Sequence, residues 1–116
     1  MAPAQARAAG LPVDQAFAQS QLVVLKSASL QPGHVFEPGP VPLTFGRSED
    51  NTAVLDADEY ASGHHARIEA ARDGVWLVDL GSTNGTWANG ERVDGRYKLH
   101  DGDVLQIGGT ELRFER

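Results

Sequence analysis

Residues 66–80 read ARIEAARDGVWLVDL and have the pattern of two β-strands joined by a tight turn. In residues 66–70 the apolar side chains alternate with charged ones, as expected of a strand with one face in water. Val75 and Leu77 repeat this alternation after Asp73-Gly74, a pair that favours hairpin turns in which both central residues take a positive φ. The segment therefore predicts a β-hairpin.

The same rhythm extends on both sides of this hairpin. From Gln21 onward, short apolar runs alternate with clusters of Gly, Pro, Asn and Asp, and Asn89-Gly90 and Asp101-Gly102 mark two further turns. Nothing after Gln21 is long and periodic enough to predict a helix, so the pattern indicates an all-β sandwich or barrel. The predicted strands are Leu22–Lys26, His34–Glu37, Leu43–Gly46, Ala53–Leu55, Ala66–Ala71, Val75–Leu80, Val104–Ile107 and Glu111–Glu115.

Residues 1–20 have a different character. They are rich in Ala, Gln and Pro and have no sustained period, although a short helix around Asp14–Gln19 is compatible with them. We interpret residues 1–20 as a flexible tail or linker and residues 21–116 as one folded domain.

The composition excludes several classes of protein. The 116 residues include no cysteine, which rules out disulfides and thiolate metal clusters. The net charge of −6 argues against general nucleic-acid binding, so any bound anion must be held by a local arrangement. Neither a signal peptide nor an apolar run of the ~18 residues needed to span a bilayer is visible. We expect a cytoplasmic domain without membrane contact of its own, which could belong to a larger or membrane-anchored protein.

Gly46-Arg47 comes just after the strand-like residues Leu43-Thr44-Phe45. An arginine at a strand end is usually a solvated surface charge, but its guanidinium can also hold a phosphate through two parallel hydrogen bonds. We expect Gly46 to let the backbone turn so that the Arg47 side chain projects from the end of the sheet.

Residues 62–65 read SGHH and precede the next strand. Adjacent residues of an extended chain point to opposite faces, so His64 and His65 cannot readily bind one metal ion. We therefore predict no metal site. One histidine is expected to be buried and to fix the loop by a hydrogen bond, while Ser62 presents its hydroxyl and its backbone N–H at the loop's rim.

Residues 79–86 read DLGSTNGT and form a polar loop that leads to the turn at Asn89-Gly90. The run lacks the Gly-Lys-Ser/Thr ending of a nucleotide-binding loop. Ser62 or Ser82 with a His and an Asp could in principle form a hydrolase triad, but no Gly-x-Ser-x-Gly elbow is present. We therefore expect a protein that is not an enzyme and has no cofactor.

Taken in order, three motifs resemble the forkhead-associated (FHA) domain family, with the resemblance running from about Gln21 to Glu115. They are Gly46-Arg47, Ser62-x-x-His65, and residues 81–86 followed by Asn89-Gly90. The resemblance implies a β-sandwich of two twisted antiparallel sheets with the binding loops at one end. It also implies a protein–protein interaction module that recognises phosphothreonine in partners.

The resemblance also implies a role for each matching residue. Arg47 and Ser62 would contact the phosphate, Thr83 would bond it from the facing loop, and Asn84 would hold the peptide backbone. Gly46, His65 and Gly85 would support the site. Gly63 stands where the family often has Arg, Lys or Asn, so only its backbone can contribute. We therefore expect modest, micromolar-order affinity.

The partners implied by the resemblance are phosphothreonine-containing proteins or peptides in Ser/Thr kinase signalling, either a kinase or its substrates. The alternative is a phosphate-independent scaffold or oligomerisation domain that uses a sheet face.

Overall fold

The computed structural model describes residues 20–116, in which eleven β-strands and no helix are found. Residues 1–19, including the helix considered at Asp14–Gln19, lie outside the described residues, so the division at residue 20 stays a prediction. The strands are β1 Gln21–Lys26, β2 Val35–Phe36, β3 Leu43–Gly46, β4 Ala53–Val54, β5 Ala66–Ala71, β6 Gly74–Asp79, β7 Thr86–Ala88, β8 Glu91–Arg92, β9 Arg96–Lys98, β10 Val104–Ile107 and β11 Thr110–Glu115.

The strands form two sheets that pack face to face. The first sheet has the order β2-β1-β11-β10-β7-β8, and the second has the order β4-β3-β5-β6-β9. The predicted all-β sandwich is confirmed, with one difference: β3 and β4 pair in parallel, whereas the other neighbouring pairs are antiparallel. Within residues 20–116 no helix is long and apolar enough to cross a membrane.

The core lies between the two sheets and follows from the alternation in the sequence. Leu112 and Phe114 of β11 are fully buried, while Arg113 between them is exposed. From the second sheet, Ile68 and Leu77 are buried and lie opposite each other in the pairing of β5 with β6. Burying one such side chain contributes roughly 1.5–3 kcal/mol, so these alternating positions hold the sheets together.

Two turns that the sequence marks behave differently. Asn89 and Gly90 both take a positive φ, 52° and 83°, and join β7 to β8 as expected. The expectation for Asp73-Gly74 was wrong: only Gly74 has a positive φ, 140°. The turn lies one residue earlier than expected because Gly74 already pairs with Ala71 as the first residue of β6.

Three strands were missed by the sequence analysis, namely β7, β8 and β9. Each has only two or three residues, too few for an alternating pattern to be visible. Predicted ends also differ from the observed ones by a residue or so, as at His34–Glu37, Ala53–Leu55, Val75–Leu80 and the starts of the first and last strands.

Candidate functional site

Three loops meet at one end of the sandwich: residues 47–52 after β3, residues 55–65 after β4, and residues 80–85 after β6. Ser62 is their common point. Its carbonyl accepts a hydrogen bond from the Arg47 backbone N–H at 2.9 Å, and its Oγ accepts one from the Thr83 backbone N–H at 3.1 Å. The structure thus brings together residues that lie up to 36 positions apart in the sequence, from Arg47 to Thr83.

Arg47 is exposed at the rim of this end. Only its backbone is bonded to the neighbouring loop, and its guanidinium makes no hydrogen bond or ion pair with any of residues 20–116. A guanidinium has five N–H donors and is always charged, so this one remains available for an anion.

Ser62 and Gly63 add further donors beside Arg47. Because Ser62 Oγ accepts from the Thr83 N–H, the hydroxyl hydrogen of Ser62 stays free for a ligand. The Gly63 carbonyl accepts from the Ser48 N–H and from Asn51 Nδ2, at 3.1 and 2.8 Å. Gly63 itself is exposed, and its N–H has no partner in the described part of the chain.

Thr83 and Asn84 lie on the facing loop, and both are exposed. The Thr83 hydroxyl has no partner among residues 20–116. Asn84 Nδ2 donates to the Tyr60 carbonyl at 2.9 Å, which holds the amide in one orientation. The Oδ1 atom and the second N–H of the amide remain available, so Asn84 can still accept from and donate to a peptide backbone.

His65 is completely buried beneath these loops. Its Nδ1 accepts a hydrogen bond from the Ser62 N–H at 3.0 Å, and its Nε2 donates to the Gly85 carbonyl at 2.8 Å. These two bonds identify the neutral tautomer with hydrogen on Nε2. This arrangement agrees with the expectation that one histidine is buried and fixes the loop. The other histidine, His64, is exposed, and its Nε2 lies 3.0 Å from Asp50 Oδ1.

Gly46 is needed for a reason other than the expected backbone turn. It is not among the residues with a positive φ. A Cβ at this position would lie 2.2 Å from the Gly63 carbonyl oxygen, so only glycine allows the loop that carries Ser62 to approach β3. Asn51, which is 7% exposed, bonds the Ser48 and Gly63 carbonyls and links the same loops. Asn51 was not predicted from the sequence as a site residue.

Asp79 organises the loop that carries Thr83 and Asn84. Its carboxylate accepts hydrogen bonds from Ser82 Oγ at 2.6 Å, from Thr86 Oγ1 at 2.7 Å, and from the backbone N–H groups of Gly81 and Ser82. Burial of the carboxyl group opposes its ionisation, but these hydrogen bonds together outweigh burial and lower the pKa of Asp79.

Ser82 Oγ in turn accepts from the Gly85 N–H at 3.0 Å, and Gly85 takes a φ of 89°. A side chain at Gly85 would therefore be strained. Asp79, Ser82 and Thr86 were assigned no structural role from the sequence. The available signal was an aspartate two residues before a Gly-Ser pair, where its carboxylate can accept from the Gly81 and Ser82 N–H groups as in an Asx-type turn.

Neither Ser62 nor Ser82 is arranged with a histidine as a catalytic nucleophile would be. The bond from Ser62 to His65 is made by the serine backbone N–H, so the imidazole is not positioned to accept the hydroxyl proton. The Ser82 hydroxyl is already bonded to Asp79. Among residues 20–116, no group of three or more His, Asp and Glu side chains could hold a metal ion. What the site does offer is a cluster of exposed hydrogen-bond donors around one permanent positive charge, that of Arg47.

The family described as "FHA domain" matches residues 43–108. The FHA domain-containing protein FhaB of Mycolicibacterium smegmatis is 43% identical over 95 residues, which cover 81% of this chain and 59% of that protein. The ABC transporter ATP-binding/permease protein Rv1747 of Mycobacterium tuberculosis is 42% identical over 86 residues, 73% of this chain.

The chain spans only part of these relatives: 59% of FhaB and 10% of the transporter protein. Among solved structures, one from a structural and functional analysis of phosphothreonine-dependent FHA domain interactions superposes with a TM-score of 0.71. It is 28% identical, and the match covers 84% of this chain and 95% of that one.

Proposed function

Because the chain belongs to the FHA domain family, we propose that it is a binding module, not an enzyme, which recognises phosphothreonine-containing segments of other proteins. One observation carries the proposal. The guanidinium of Arg47, the hydroxyl of Thr83, the N–H of Gly63 and the hydroxyl hydrogen of Ser62 are all unpartnered within residues 20–116, on loops joined by hydrogen bonds. Such a preorganised group of donors suits a phosphate, which offers three strong acceptor oxygens.

Each residue has a distinct role in this proposal. Arg47 binds two phosphate oxygens through its planar fork, and the Ser62 and Thr83 hydroxyls donate from the two facing loops. Asn84 bonds the peptide backbone beside the phosphothreonine. Gly63 adds only its N–H. Gly46, His65 and Gly85 hold the loops in place.

The related structure above concerns phosphothreonine-dependent interactions of FHA domains, and this likeness supports the choice of phosphothreonine. We further propose that residues 21–116 form the module and residues 1–20 a linker. The partner would be a Ser/Thr kinase or one of its substrates, in the cytoplasm. The chain could serve as one part of a longer protein, since its relatives extend beyond the matched region.

The test is a screen of a degenerate phosphothreonine peptide library against the wild-type domain and the Arg47→Ala variant. Losing one bidentate, charge-assisted contact of about 1.5–3 kcal/mol predicts roughly 10- to 100-fold weaker binding. Arg72→Ala is the matched control. Arg72 is exposed at the turn between β5 and β6, so this substitution removes the same charge far from the binding loops. Phosphoserine and unphosphorylated peptides test the specificity.

Binding that requires phosphothreonine, falls in Arg47→Ala and persists in Arg72→Ala supports the proposal. If the folded wild-type domain binds no phosphopeptide, the proposal is wrong, and the alternative of a phosphate-independent contact through a sheet face takes its place.

A further inference from the structure

Asp58 is a buried aspartate in the loop that carries Ser62, and the residue is only 3% exposed. Its Oδ1 accepts hydrogen bonds from the backbone N–H groups of Tyr60 and Gly109, both at 3.0 Å. Its Oδ2 accepts from the Gly109 N–H and from Thr110 Oγ1, both at 2.9 Å. A buried carboxylate with donors on both oxygens is held in one position.

These bonds fasten the loop between β4 and β5 to the other sheet. Gly109 and Thr110 lie at the turn from β10 into β11, which belong to the first sheet. Thr110 is completely buried. Because its hydroxyl donates to the carboxylate, the 2.9 Å hydrogen bond between Thr110 and Ser27 is donated by the serine. A directed series of hydrogen bonds therefore runs from Ser27 through Thr110 to Asp58.

The same aspartate fixes the peptide group that holds Asn84. The Tyr60 N–H donates to the Asp58 carboxylate, and the Ala61 N–H donates to the Asp58 carbonyl at 3.2 Å. The Ala61 N–H and the Tyr60 carbonyl belong to one planar peptide group. This carbonyl accepts from Asn84 Nδ2 at 2.9 Å, so its direction sets the orientation of the Asn84 amide.

The turn after β10 also packs against this peptide group. A Cβ at Gly108 would lie 2.9 Å from the Ala61 backbone nitrogen and 3.0 Å from its Cα, so the two segments are in close contact. Residues 60–61 are thus hydrogen-bonded by Asp58 and bounded by the turn that Asp58 also binds.

We propose that Asp58 is a positioning residue of the phosphopeptide site, which acts through the Tyr60 carbonyl to hold the Asn84 amide where it bonds the peptide backbone. The inference rests on the proposed function and deepens it by adding a residue that sequence reasoning did not identify.

The proposal separates two parts of binding. Arg47, Ser62 and Thr83 are joined by hydrogen bonds that do not involve Asp58. Loss of the Asp58 bonds should therefore weaken the contact between Asn84 and the peptide backbone and leave phosphate binding intact.

The experiment compares a phosphothreonine peptide from the library screen with inorganic phosphate, which has no backbone for an amide to bond. Asp58→Asn turns one acceptor into a donor, and Thr110→Val removes the hydroxyl with little change of shape. Each should weaken the peptide about three- to ten-fold, equivalent to about one hydrogen bond, and phosphate less than about two-fold, in NMR titrations. Thr110→Ser keeps the hydroxyl and should bind like wild type. If Asp58→Asn does not fold, Thr110→Val carries the test.

Asp103→Asn is the matched control for the loss of a buried carboxylate. Asp103 is 7% exposed and accepts from Asn89 Nδ2 and the His100 N–H, both at 2.8 Å. It directly precedes β10, whereas Gly109 follows that strand, so the two lie at opposite ends of it. This variant should lower stability without changing the ratio of peptide to phosphate affinity.

Two further measurements distinguish positioning from general support of the fold. In an Asn84→Ala background, Thr110→Val should cause no additional loss of peptide affinity, because the residue through which it acts is absent. In the free protein, the side-chain amide NMR signals of Asn84 should shift in Thr110→Val and remain unshifted in Asp103→Asn.

Three results would each overturn the inference while the proposed function stands: unshifted Asn84 signals in Thr110→Val, equal weakening of peptide and phosphate, or an undiminished loss in the Asn84→Ala background. If the wild-type protein binds no phosphopeptide, the proposed function fails, and the role of Asp58 in phosphopeptide binding falls with it.

Discussion

Replacing His65 with alanine tests whether one buried side chain holds the binding loops together. The change deletes the acceptor of the Ser62 N–H and the donor to the Gly85 carbonyl, which lie 3.0 and 2.8 Å from the ring. A buried polar group that loses its partner costs about 1–3 kcal/mol. Two groups, the Ser62 N–H and the Gly85 carbonyl, lose their partners, so the two losses add up to about 2–6 kcal/mol. Because Ser62 is partly exposed and water can replace its lost partner, we expect the free energy of unfolding to fall by about 2–4 kcal/mol, including the effect of the cavity left by the ring.

This loss is large against the whole stability of the domain. A folded region of 97 residues, 20–116, has a free energy of unfolding of about 5–15 kcal/mol. Urea unfolding followed by the fluorescence of Trp76 and Trp87 measures the change as a lower midpoint with an unaltered m value. Phosphopeptide affinity should fall as well under conditions where the variant is folded, because Ser62 and Gly85 are no longer tied to each other.

The adjacent His64 provides the control. Its side chain is 58% exposed and pairs with Asp50 on the surface, so His64→Ala should cost about 0.5 kcal/mol or less. If His65→Ala destabilises the domain no more than His64→Ala, the loops do not depend on the histidine bonds and the reasoning is refuted.

Two further predictions concern the residues beneath the site. Asp79→Asn should lower the free energy of unfolding at pH 7. Because the folded-state pKa of Asp79 is lowered, its contribution is complete above the ordinary Asp pKa of about 3.9 and is lost as pH falls from there through the lowered folded-state pKa, so the difference between variant and wild type should shrink at acid pH. Equal differences at pH 7 and pH 2.5 in urea titrations would contradict this. Gly46→Ala should cost about 1–3 kcal/mol, since its Cβ would lie 2.2 Å from the Gly63 oxygen, and should shift the amide NMR signals of Ser48 and Gly63. Gly39→Ala, where a Cβ meets nothing within 4 Å, is the control, and an equally small effect at both glycines would be contrary to expectation.

Most of the architecture could be predicted because its signals are local. The alternation in residues 66–70 marks one strand face as apolar, and an Asn-Gly pair favours the two positive φ angles observed at Asn89 and Gly90. The short strands β7, β8 and β9 could not be predicted in this way. Two or three residues become a strand only when a neighbouring strand supplies the hydrogen bonds. For β7 and β9 that neighbour is distant in sequence, as Leu105 of β10 is from Ala88, and β8 in turn pairs with β7.

The candidate site shows the same division. The order of the motifs, the family and the polar residues at the loop ends could be predicted, since these are properties of consecutive residues. The close backbone approach at Gly46, the hydrogen bonds by which Asn51 and Asp79 hold the loops, and the contact of Arg92 with Gly85 are visible only in the folded chain. Such contacts depend on the distance between segments many residues apart, and that distance is set by how the two sheets pack, which no local pattern encodes.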